Sequence, residues 1–210
     1  AMVTSVQAFK YMASYSLIQF TSSMILYAIA SLFADMQFLW IDLFIVMPLA
    51  FVSEYTGPYR KLSKRRPVAS LMGWNVISSL LLQNFVNVIF QVLAFGLLYT
   101  QSWFTPIVID PHSDNSLSAE VTTIFVIGNF QYIFSVLAFS VGKPFRKRIF
   151  SNVAYIITVI ILFGLNLALM LVPPTFILNW FEMYDLPLDF KGILLLLVVV
   201  NGIAVLFVEE

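Results

Sequence analysis

The sequence predicts an all-α fold, a polytopic membrane helical bundle with six transmembrane helices, and three observations carry that prediction. Hydrophobic residues make up 60% of the chain and charged ones only 10%, with a mean hydropathy of +0.93, outside the balance of a soluble domain. Charge is absent from 11–34, 67–109, 121–142, 149–181 and 192–208, and the first four of these runs exceed the ~20 residues that a helix needs to cross a bilayer. Polar or Pro/Gly-bearing connections separate the runs, which are too long and unbroken for the short alternating segments of a membrane β-barrel.

Taken in order, the spans are expected at about 3–31, 36–53, 73–99, 121–141, 151–172 and 190–208, as one membrane domain covering 1–210. The first carries Tyr15 and Gln19, spaced i, i+4 and so on one helix face. Asp35 opens the second, Phe38 follows, and Asp42 lies within it; Pro48 comes one to two turns later and is expected to break the backbone ladder. The third holds Gln83, Asn84, Asn87 and Gln91 and the fourth Asn129 and Gln131, amides expected to bond between helices. The fifth and sixth are almost wholly apolar.

Charge sets an expected orientation. Arg60, Lys61, Lys64, Arg65 and Arg66 fall between spans two and three, and Lys143, Arg146, Lys147 and Arg148 between spans four and five, with Lys10 at the front. The positive-inside rule puts these on the cytosolic side, and both ends of the chain with them. The opposite connections hold Asp110, Asp114, Glu120, Glu182, Asp185 and Asp189. Carboxylates contribute little to topology, so this acidic far face calls for another reason, and attraction of cations is one.

Several chemistries are excluded. With no cysteine there is no disulfide or thiolate chemistry, and the lone His112, in a polar stretch, reads as a loop residue with no metal site around it. VGKPF lacks the upstream glycine and following hydroxyl of a phosphate loop, so no catalytic residue, cofactor site or nucleic-acid role is assigned to this chain. AMVTSVQAFKY lacks signal-peptide order, and the chain reads as a piece of something larger.

The candidate substrate-binding residues are Tyr15, Gln19, Asp35, Phe38 and Asp42. Seven residues are two helical turns, so the two aspartates share a face, ~10.5 Å apart along the axis. A carboxylate in hydrocarbon costs ~2.5–3.5 kcal/mol on insertion scales, so it normally faces a cavity or a partner. No basic residue is placed to be that partner, since Lys10 and Lys191 sit at the wrong ends of their spans. Two carboxylates with aromatics, a phenol and an amide between them suit a ligand whose amines are separated by methylenes.

AFKYMASYSLIQF, ADMQFLWIDL, the FQY of GNFQYIF, the GKPFR of VGKPFRKRIF and the closing VNGIAVLFVEE together resemble the C-terminal membrane region of P-type ATPases of the fifth subfamily, group B, the polyamine transporters of lysosomes and vacuoles. The resemblance covers nearly the whole chain in order, and its basic loops resemble fungal members. It implies that these spans are membrane helices five to ten of a ten-helix core, working with the remaining helices and cytosolic domains of the parent in a vacuolar or endo-lysosomal membrane. It further implies a parent that uses ATP and Mg²⁺ to move spermine or spermidine from lumen to cytosol, its catalytic aspartate lying outside this chain. The same five residues match the part of the family's substrate path on helices five and six. Two rivals stand beside this reading: the sister group, which dislocates transmembrane helices in the endoplasmic reticulum, and a purely structural support domain.

Overall fold

In the computed structural model the described residues are 2–59, 73–110, 115–140, 145–147 and 151–209. His112, Asp114, Lys143, Arg148 and the basic run 60–66 lie outside them. Helix α1 (Met2–Tyr27) leads through a turn to α2 (Asp35–Leu39), which runs without a break into a π-helical segment (Trp40–Val46) and α3 (Met47–Glu54). Then follow α4 (Trp74–Tyr99), α5 (Ala119–Ala138), α6 (Val153–Leu171), the short α7 (Thr175–Trp180) and α8 (Leu188–Glu209). No strand occurs among the described residues; one isolated bridge joins Pro58 to Arg146.

Five helical stretches, Asp35–Glu54, α4, α5, α6 and α8, are long and apolar enough to cross a membrane. The sixth expected span, α1, has the length, 26 residues, but is less apolar, because it turns Gln7, Ser14 and Ser22 inward and carries Lys10. It stops at Tyr27 instead of 31, where Ala30 adopts a left-handed backbone (φ 54°) that a helix does not tolerate.

Helix α5 is the axis of the bundle. Every residue from Ala119 to Ile133 is buried, and α1, α4, α6 and α8 pack around it. It begins where Ser118 accepts the Val121 N–H at 3.1 Å, as α6 begins where Asn152 accepts that of Tyr155. Between apolar helices in lipid, close packing and amide bonds supply the association that water supplies elsewhere. Gln91 donates to the Gln131 side chain at 2.8 Å, and Gln131 donates to the Asn87 carbonyl at 2.9 Å, joining α4 to α5. Asn201 reaches Asn87 from α8, and Ser14 reaches Asn84 from α1, each at 3.4 Å. Gln83 and the Asn129 carbonyl oxygen, expected to bond likewise, find no partner among the described residues. At Gly202 the backbone of α8 comes so near α5 that a Cβ would lie 2.8 Å from the Phe134 ring.

Both ends of the bundle are tied. At one end Lys10 pairs with Glu209, which also accepts from Ser79, while the Lys10 ammonium sits 4.8 Å from the centre of the Phe139 ring. At the other, Gln37 donates to the Phe181 carbonyl at 2.8 Å, Asn115 to that of Ala30 at 3.0 Å, and Ser116 to the Glu182 carboxylate.

Candidate functional site

Helices α1 and α2–α3 form an antiparallel hairpin, and the candidate site lies where Tyr15 of the first meets Asp42 of the second. The Tyr15 hydroxyl donates to Asp42 Oδ1 at 2.6 Å, a short bond of the charge-assisted kind, worth about 1.5–3 kcal/mol. Tyr15 packs against the fully buried Tyr132, ring centres 5.8 Å apart, and Gln19 follows one helical turn later on the same face.

Asp42 sits in the π-helical segment, whose cause is local. Pro48 has no N–H to give, and its ring crowds the carbonyl one turn back, so the preceding residues slip to wider bonds, with the Met47 N–H donating to the Asp42 carbonyl. The expectation that Pro48 breaks the ladder is therefore corrected: the helix widens and runs on to Glu54.

The second Asp42 oxygen accepts no hydrogen bond from the described residues, and the side chain is exposed on a face that no helix among them covers. Among those residues the only ion pairs are Lys10–Glu209 and Lys191–Asp185, so both lysines near the spans are committed elsewhere. Beside Asp42 opens a groove of about 370 Å³ walled by Met12, Val46, Met47, Ala50 and Phe51. A carboxylate with a phenol donor and apolar walls takes an ammonium group at one point and methylenes along the rest.

Of the five expected residues, Tyr15 and Asp42 meet and line this groove, and Gln19 stands next to Tyr15 without lining it. Asp35 is exposed at the start of α2, on the uncovered side as Asp42 is, but outside the groove. Phe38 is half-buried and turns its ring edge-on to Phe33 at 5.4 Å.

Sequence reasoning missed Arg146, read there only as part of a basic loop. Its side chain is buried at the end of α3, where it donates to the carbonyls of Ser53, Glu54 and Thr56 at 2.9–3.1 Å and to the Gln7 side chain at 2.6 Å. Burial pushes the guanidinium below its ordinary pKa, and the Glu54 charge opposes that shift. It thereby fixes the spacing of the two helices that hold Tyr15 and Asp42. The GKPFR motif was the available signal.

Residues 30–210 match the family model described as cation transporting ATPase, C-terminus. The vacuolar cation-transporting ATPase YPK9 of Saccharomyces cerevisiae is 35% identical over 81% of this chain and 12% of its own length. The polyamine-transporting ATPase 13A2 of Homo sapiens is 40% identical over 81% of this chain and 14% of its own. The polyamine-transporting ATPase 13A3 of the same organism is 32% identical over 100% of this chain and 19% of its own. The chain thus spans less than a fifth of these relatives.

Proposed function

The chain belongs to the cation-transporting ATPases, as the C-terminal membrane region of a fifth-subfamily, group B P-type ATPase, and from that premise we propose that it forms half of a polyamine path. In this reading 1–210 is one membrane domain with six crossings, α1 included, and both ends cytosolic, in a vacuolar or endo-lysosomal membrane. The parent, a P-type ATPase translocase, consumes ATP with Mg²⁺ in its cytosolic domains and carries spermine or spermidine from lumen to cytosol. Its remaining helices cover the face on which Asp35 and Asp42 lie bare.

The observation that supports this most is the state of Asp42: one oxygen held by Tyr15, the other with no partner, and no cation of the chain near it among the described residues. One hydrogen bond of about 1.5–3 kcal/mol roughly offsets the insertion cost of a carboxylate, and leaves its charge uncancelled. A diffusible ammonium cancels it. As the polycation enters from the acidic side, Asp35 meets one ammonium group and Asp42 the next, while methylenes lie along Met12, Met47 and Phe51. Tyr15 fixes the direction of the Asp42 carboxylate, and a rearrangement driven by the cytosolic domains releases the substrate inward.

In the full-length protein, Asp42→Asn is expected to lower polyamine-stimulated ATP turnover and raise the spermine concentration it requires, while phosphorylation by ATP persists. An unchanged apparent affinity for spermine, or stimulation by a hydrophobic helical peptide in place of spermine, overturns the assignment.

A further inference from the structure

A second pocket lies at the acidic end of the bundle and shares no residue with the Tyr15–Asp42 groove. It has a volume of about 270 Å³ and is built from the segment after α4 and the start of α5, with Tyr184 closing one side. Its deepest charged group is Glu120, on the second residue of α5 and only 1% exposed. One Glu120 oxygen accepts the Ile107 N–H at 3.1 Å, and the other has no hydrogen-bond partner among the described residues. The helix N-terminus and this single N–H explain why a carboxylate is tolerated there, but neither neutralises it. Lys191, the lysine at this end of the bundle among the described residues, is held by Asp185 and the Leu171 carbonyl.

One side of the pocket is aromatic. Trp103 lies parallel to Tyr184 (7° between planes, centres 6.4 Å apart) and is braced edge-on by Phe104 and Phe190. Ile107, Val108 and Leu117 continue from this pocket into a neighbouring depression of about 560 Å³ that carries Asp110 and Glu182. We propose that the Glu120 pocket is a second binding site for an alkylammonium group, separate from the Asp42 groove and reached from the acidic face.

The chemistry selects this ligand class over a metal ion. A hard cation asks for six or more oxygen ligands, usually several of them carboxylates, and this pocket offers one carboxylate, with the hydroxyls of Thr105, Ser118 and Tyr184 as its other side-chain oxygens. An ammonium on a methylene chain takes one carboxylate, the electron-rich faces of Trp103 and Tyr184, and an apolar channel for its alkyl part. The adjoining depression adds the Glu182 carboxylate, which suits a second amine of the same molecule. The inference rests on the polyamine reading of the parent for the identity of the amine, but not for the existence of the pocket.

The test is equilibrium binding of labelled spermine to the full-length protein in nanodiscs, with no ATP. Wild type is expected to bind at two classes of site, Asp42→Asn and Glu120→Gln at one each, and the double variant at neither. Tyr184→Leu, an exposed position that spares the fold, is expected to weaken the second class roughly five- to thirtyfold. Excess Mg²⁺ is expected not to displace the amine from it. Monodisperse elution of each full-length variant and an unchanged thermal denaturation midpoint show that it is folded. Spermine binding in Glu120→Gln and Tyr184→Leu proteins identical to wild type overturns this proposal and leaves the Asp42 groove standing. A single class of site that Asp42→Asn leaves intact and Glu120→Gln removes overturns the path through Asp42 instead.

Discussion

Gly202 offers a perturbation whose size follows from the geometry. A Cβ at this position lies 2.8 Å from Phe134 Cζ and 3.0 Å from both Cε atoms. Carbon atoms pack at about 3.5–4.0 Å, so Gly202→Ala forces the ring to retreat by about 0.7 Å. Phe134, half-buried, also contacts Phe163 of α6 at 6.2 Å between ring centres, which narrows the ways it can move. Such overpacking costs about 1–3 kcal/mol, while alanine in place of a helical glycine returns about 1 kcal/mol, so the single variant alone is a blunt test. A double-mutant cycle with Phe134→Ala removes the propensity gain, which is the same with or without the ring. The coupling is expected at about 1–2 kcal/mol, in the sense that Gly202→Ala destabilises the wild type and not the Phe134→Ala protein. Thermal denaturation of the four detergent-solubilised full-length proteins, followed by loss of monodisperse material, gives the ranking. Additive effects, within about 0.3 kcal/mol, refute the close approach of α5 and α8.

Arg146→Gln is expected to lower stability by about 3 kcal/mol, the order of two charge-assisted hydrogen bonds, seen as a drop in the same denaturation midpoint. Arg146→Lys should recover less than half of it, because an ammonium cannot reach Gln7 and the α3 carbonyls together; full recovery by lysine removes the bridging role. Pro48→Ala restores an N–H and permits ordinary α-helical bonds through Trp40–Val46, turning Asp42 relative to Tyr15. Its stability should be no lower than wild type while the spermine concentration for half-maximal ATP turnover rises about tenfold, the 1.4 kcal/mol assigned to a misdirected carboxylate. Equal spermine dependence in the two proteins contradicts a working role for the widened turns.

Local signals made the fold legible. Uncharged runs longer than a bilayer crossing marked the helices, and the i, i+4 spacing of Tyr15 and Gln19 put both on the side of α1 that meets Asp42. The amides at Asn87, Gln91 and Gln131 were readable because an amide in a span has few uses besides bonding to another helix. What escaped depended on residues far apart in the chain. WIDLFIV reads as ordinary helix, and its widened turns arise from a proline that follows them. Arg146 looks like one more topological charge until Gln7 and Ser53–Thr56 are brought around it. Glu120 looked like one of several far-face acids, and only the fold separates it, buried and half-satisfied, from Asp185, which Lys191 neutralises. The edge contact of Phe38 with Phe33 likewise joins α2 to the turn before it and carries no local signal.

The helix that carries Asp42 is fastened at Gln37 by the Phe181 carbonyl and in its last turn by Arg146 and Asn152, which donate to the Ser53 and Val52 carbonyls. A rod clamped at both tips cannot swing or slide as a whole; its remaining freedom is torsion, and torsion collects where the winding is loosest. That place is Trp40–Val46, so a twist transmitted along the rod is felt first as a turn of one carboxylate about the axis.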